Sequence, residues 1–220
     1  MKEKRKRLLW IGCIFIAGFV IWTLLIQAVD VQPLGVNGTN IGFATINCWF
    51  HRLTGVHMVI YTITDWLGLI PIFICMIFGG IGCIQLLKRR SLLKVDYDII
   101  FLGVYYILVI FGYLIFEMIP INYRPILIEG FMEVSYPSST TLLVLCVMPT
   151  LIEQINRRSK NEIVKKVIKA LVISFSAFMV FSRLISGVHW VTDIVGSIML
   201  SVGMFCIYKT VVLLCYKRGN

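Results

Sequence analysis

The sequence predicts an all-α, polytopic membrane protein with six transmembrane helices and both termini on the cytoplasmic side. Three observations carry that reading. The chain has 220 residues, is 59% hydrophobic and only 15% charged, and has a mean hydropathy of +0.89, whereas soluble domains carry about 25% charged residues. Apolar runs of about 20 residues, long enough to cross a bilayer as helices, recur along it. They do not alternate as barrel strands would, and in hydrocarbon only helices and closed barrels satisfy their own backbone. Finally, the cations fall in alternate connections, as they do around membrane spans.

The spans follow in order. The first, 8–29, comes after the basic stretch "MKEKRKR" (1–7). That start resembles a signal peptide, but the apolar run is too long and no small-residue cleavage site follows, so it reads as a retained helix. Residues 65–87 form the second span, and Gly79, Gly80 and Gly82 in its "FGGIG" stretch permit close helix packing. Four more spans are expected at 98–119, 138–155, 167–186 and 190–214. The longest outer connection is 30–64. Within it, "IGFATINCWFHRLTGVHMVIYTIT" (41–64) is amphipathic and aromatic, and reads as one or two short helices along the outer interface. Residues 1–220 are read as one membrane-embedded domain.

Orientation comes from the cations. Lys2, Lys4, Arg5, Lys6 and Arg7 precede the first span, and Lys88, Arg89, Arg90 and Lys94 follow the second. Arg157, Arg158, Lys160, Lys165, Lys166 and Lys169 lie between the fourth and fifth, while Lys209, Lys217 and Arg218 end the chain. All fall on one side, which is then the cytoplasmic side of a cell membrane. The other side receives Arg52, Arg124 and Arg183, together with His51, His57 and His189. Glu129 and Glu133 lie there too, with Asp30, Glu117 and Asp193 near that boundary. The net charge of +10 is therefore a topology signal, with no nucleic-acid partner implied. The basic loops favour anionic lipids of the bilayer; the sequence names no protein partner. Six cysteines lie in or at the ends of spans and only Cys48 is clearly outside, in no metal-ligand spacing, so no disulfide and no cysteine metal site is expected.

The polar residues on the outer side carry chemistry. In "FSRLISGVHWVTD" (181–193), His189 and Asp193 are four apart and share a face if helical. A carboxylate beside an imidazole fixes its tautomer and raises its basicity, preparing the other ring nitrogen as a nucleophile. Arg183 and Arg124 each carry a planar fork that matches phosphate oxygens. Ser138 and Ser139 begin the fourth span, where free N–H groups and the helix dipole favour an anion. Ionisable groups at a membrane boundary are costly unless used. Together these residues describe a phosphate site with a histidine nucleophile.

The stretch 182–193 fits Ser-Arg-x5-His-x3-Asp and so resembles the third motif of the type 2 phosphatidic acid phosphatase family, in the superfamily shared with vanadium haloperoxidases. "YPSST" (136–140) stands where the second motif, Pro-Ser-Gly-His, belongs, and "EMIPINYRP" (117–125) where the first, Lys-x6-Arg-Pro, belongs. Order, spacing and six spans agree over nearly the whole chain. The resemblance implies that His189 attacks phosphorus, that Asp193 orients it, and that Arg124, Arg183, Ser138 and the N–H of Ser139 hold the phosphate. It implies no metal or other cofactor. The substrate it implies is a membrane lipid phosphate, cleaved at the outer face.

Two motif positions depart. Glu117 replaces the lysine, and Thr140 replaces the second-motif histidine that serves as general acid, a role typically worth about 10²–10⁴ in rate. Three accounts stay open. A diphosphate substrate has a leaving group that needs little help. A relocated acid is available in Glu117, Glu129 or Glu133, or in His51 or His57. A pseudophosphatase would bind or move a phosphorylated lipid without turnover. A channel or transporter is the rival of another class. It is weakened because Asp65, at the start of the second span, is the nearest charge to mid-span.

Overall fold

A computed structural model describes residues 2–216. Lys217 and Arg218, counted above among the basic-side cations, lie outside the described residues. The described residues form eight α-helices: α1 (Lys2–Ala28), α2 (Ala44–Thr54), α3 (Met58–Leu67), α4 (Leu69–Arg89), α5 (Tyr97–Met118), α6 (Ser139–Arg158), α7 (Glu162–Ile185) and α8 (Val191–Tyr216). Among the described residues there are six stretches long and apolar enough to span a membrane, with α3 and α4 together forming one of them.

Three spans, α5, α6 and α8, begin and end close to the sequence expectation, whereas α1 and α7 end as expected but start earlier, at Lys2 and Glu162, because the helix continues through the basic residues beside each apolar run. The second differs. The apolar run continues upstream through Met58, Val59, Ile60 and Ile63, so α3 extends α4 across a turn at Gly68. The united stretch has 32 residues, about 48 Å at the α-helical rise. That exceeds the ~30 Å hydrocarbon core. Only α2 remains as a separate short helix of the 41–64 segment.

Long apolar helices need close approach to gain packing energy in lipid, because lipid tails are as apolar as leucine. Small residues supply it. A Cβ on Gly12 of α1 would lie 2.9 Å from Ile207 Cγ1 of α8, and one on Gly203 would lie 2.7 Å from Ile16 Cδ1. α6 is the central element: Leu142, Val144, Cys146 and Val147 are all buried. Beside it, Tyr105 of α5 stacks on Tyr208 of α8 at 4.6 Å between centroids and donates to the Cys146 carbonyl at 3.2 Å.

The end of the bundle where the basic connections gather is held by ordinary ion pairs. Arg89 meets Asp96 at 2.7 Å and Arg158 meets Asp98 at 2.8 Å, while Lys209 pairs with Glu153. The opposite end carries the motif segments.

Candidate functional site

The 119–138 connection folds back on itself. Ile128 and Phe131 exchange backbone hydrogen bonds of 3.0 and 2.8 Å around a turn in which Glu129 and Gly130 both have positive φ, 50° and 84°. The Arg124 N–H donates to the Glu133 carbonyl at 3.0 Å, and Ser135 N–H to Asn122 at 2.9 Å. This ribbon sets Arg124 opposite Glu133 and brings Ser135 over the turn that follows α7. There the Trp190 indole donates to the Tyr123 carbonyl at 2.8 Å.

His189 is almost fully buried in that turn. Its Nδ1 lies 3.1 Å from the Ser135 carbonyl oxygen, which can only accept, so Nδ1 carries the hydrogen. Its Nε2 is buried with no partner. Burial, then the nearby guanidinium charges of Arg124 and Arg183, hold the imidazole well below its usual range, against the opposing Ser135 bond. The ring is therefore neutral at neutral pH, with an Nε2 lone pair in place.

Asp193 stands beside Nδ1 of the same ring. Its Oδ2 stands 3.7 Å from His189 Nδ1 and instead accepts from the Trp190 backbone N–H at 2.9 Å; Oδ1 accepts from Asn122 at 3.3 Å. The four-residue spacing aligns two side chains only on a continuous helix, and α8 begins at Val191, after His189. Asp193 therefore fixes the turn that presents His189, while the ring's hydrogen bond goes to Ser135.

Arg183 is 1% exposed and Arg124 8%. Their guanidinium carbons stand 4.9 and 5.6 Å from the centre of the same ring, Tyr61 of α3, a placement that cation–π attraction favours. Arg183 donates to Thr64 at 3.4 Å, Asp65 at 3.2 Å and Thr140 at 2.5 Å. Arg124 Nε faces Glu133 at 3.0 Å. Arg124 Nη1 and Arg183 Nε are buried without partners. An orphaned buried donor costs about 1–3 kcal/mol, and more when charged. Two guanidiniums and an imidazole that all keep open positions at one end of the molecule suit an incoming anion.

Two cavities meet at this point. A polar pocket of about 70 Å³ is lined by Glu117, Arg124, Glu133, Ser135, Ser139 and His189, among others. A larger apolar cavity of about 450 Å³ lies between α4, α5 and α6, with Asp65, Ser139 and Thr140 on its wall. Tyr113 and Ser139 line both. No side chain caps the start of α6, and its first residue, Ser139, lines both cavities.

Of the expected site residues, the structure brings together Arg124, Arg183, His189, Asp193 and Ser139. The Ser138 hydroxyl is engaged at the start of α6, donating to Thr141 at 3.1 Å. Among the suggested acids, Glu117 and Glu133 line the polar pocket. Glu129 sits exposed at the ribbon tip, while His51 and His57 spend a ring nitrogen on the carbonyls of Gly187 and Thr54. Sequence reasoning missed Tyr61, Thr64, Asn122 and Ser135. Asp65, visible as a charge near the start of a span, was the one available sign that α3 takes part.

Residues 113–216 match the family model described as the PAP2 superfamily. The fold is similar to the "Crystal structure of the first transmembrane PAP2 type phosphatidylglycerolphosphate phosphatase from Bacillus subtilis", with a TM-score of 0.65, 15% sequence identity, and coverage of 91% of this chain and 94% of that one. No curated protein matches the chain. Residues 113–216 thus carry the sequence pattern of the PAP2 superfamily, and the chain shares the multi-pass membrane fold of that phosphatase.

Proposed function

We propose that the protein hydrolyses a membrane lipid mono- or diphosphate through a phosphohistidine intermediate, at the extracytoplasmic face of the cell membrane. The observation that carries this reading is the neutral, unpartnered Nε2 of His189 in a small polar pocket that it shares with Arg124 and that adjoins a large apolar cavity. The phosphate binds between Arg124 and Arg183, against the N–H groups at the start of α6, while the apolar part of the lipid lies in the cavity. His189 Nε2 attacks phosphorus and the bond to the lipid oxygen breaks. Water then cleaves the N–P bond and releases phosphate. Asp193 positions the turn. The basic end of the bundle is cytoplasmic by the charge rule, which puts the motif end outside.

Purified protein assayed for phosphate release across a panel of lipid mono- and diphosphates tests the activity, with His189→Ala as the control. Topology is tested by Glu129→Cys: labelling by an impermeant reagent only after lysis would overturn the outer placement. A second reading, a pseudophosphatase that binds or moves a phosphorylated lipid, has its own support, because each arginine already faces a carboxylate. It predicts no turnover of any substrate and lipid-phosphate binding that survives His189→Ala.

A further inference from the structure

A carboxylate reaches the site from an element outside the three motif segments. Asp65 Oδ1 accepts from Arg183 Nη2, the same nitrogen that donates to Thr140 Oγ1. Asp65 and Thr140 both line the apolar cavity, and neither lines the polar pocket that holds His189. Glu117 and Glu133 line the pocket with His189 and not the cavity. In an in-line displacement the leaving oxygen departs opposite the nucleophile. With His189 on the pocket side and the lipid in the cavity, that oxygen faces the wall made by Asp65 and Thr140. An alkoxide leaves slowly without a proton, and the Thr140 hydroxyl is too weak an acid to supply one.

We propose that Asp65 is the proton donor for the leaving lipid oxygen, an inference that rests on the phosphatase reading above. As the His189 N–P bond forms and the P–O bond breaks, the Asp65 proton passes to the lipid oxygen, leaving an alcohol and an Asp65 carboxylate. Water then enters from the cavity side and attacks phosphorus. Its proton passes to Asp65 as the N–P bond breaks, which restores both groups. The carboxyl is 58% exposed, so it has the freedom to swing from Arg183 to the leaving oxygen.

The test compares phosphate release from a dioleoyl phosphatidic acid monophosphate with release from a prenyl diphosphate, whose leaving group is itself a phosphate. Asp65→Asn should slow the monophosphate about 10²-fold, the lower end for a lost general acid, and slow the diphosphate far less. Thr140→His placed in the Asp65→Asn background should restore part of the monophosphate rate. Asp65→Glu, which keeps a carboxyl, should retain the wild-type ratio between substrates and covers the case in which the asparagine variant does not fold. Equal slowing of both substrates would show that Asp65 only holds Arg183, and would overturn the proposal. So would no slowing, or a substrate-selective loss in Tyr113→Phe in place of Asp65→Asn. Phosphate release that persists in His189→Ala would sink the phosphatase reading and this inference with it. Release that needs His189 but ignores Asp65 sinks this inference alone.

Discussion

Both ends of the bundle pair their arginines with carboxylates, but they satisfy them to different extents. At the basic end, Arg89 and Arg158 reach Asp96 and Asp98 by direct hydrogen bonds, with Gln85 and Gln154 completing the arrangement. At the motif end, Arg124 and Arg183 are more deeply buried, yet each keeps a nitrogen with no partner, and the His189 imidazole is left with a bare Nε2. Buried charge is normally satisfied within the fold. A site that leaves it open has given up stability to keep room for something that arrives later. The difference teaches that the first set of cations builds the structure, while the second, on the function proposed above, serves a ligand.

Replacing His189 by Ala should sharpen this contrast most, dropping phosphate release to background while the protein still purifies as wild type. Arg183→Lys comes next. It keeps the charge but loses the fork, and a charge-assisted hydrogen bond is worth about 1.5–3 kcal/mol, so kcat/KM should fall about ten- to a hundredfold. A wild-type value would mean that Arg183 does not hold the phosphate. The acid limb of kcat/KM tests the imidazole. Its neutral form is the reactive one and the folded site disfavours the proton, so lowering the pH through the usual imidazole value of 6.5 should leave activity in place, with the fall only at lower pH. A limb at or above that value would contradict the buried, guanidinium-flanked setting. Glu117→Lys should tighten phosphate binding a few-fold, and less so in high salt as screening grows; inhibition by inorganic phosphate measures it. Smallest of all, Arg89→Gln at the basic end should cost at most about 1 kcal/mol, as exposed pairs do, and leave phosphate release unchanged. A large loss of activity there would erase the distinction between the two ends.

Much of this was legible in the sequence because hydrocarbon imposes so strong a code. Five spans could be placed from run length alone, and Arg124, Arg183 and His189 stood out because charge is scarce in such a chain. What escaped was set by backbone geometry. The Ser135 partner of His189 is a carbonyl, which every residue carries, so no residue type announces it. The spacing of His189 and Asp193 suggested a shared helical face, but α8 starts two residues later and turns Asp193 toward the Trp190 N–H. Most of α3 falls in the 41–64 segment, which reads as interfacial because it is amphipathic and rich in Trp, Phe and Tyr. Only the continuation through Gly68 shows it as part of a span whose inner face supplies Tyr61, Thr64 and Asp65.

The turn that carries His189 is held from three distant parts of the chain. Gly187, at φ +72°, passes so close to Gly55 that a Cβ would stand 2.1 Å from its carbonyl oxygen, and His57 N–H donates to Ser186 at 2.9 Å. The ribbon at Tyr123 and Ser135 holds the same turn from the other side. Contacts so far apart in sequence form late in folding, since each must first close a long loop. During synthesis, five spans enter the membrane before the segment bearing His189 is complete. His189 Nε2 is thus placed last, and on the function proposed above a nascent or truncated chain can bury its apolar helices in the bilayer without yet being able to attack the lipids around it.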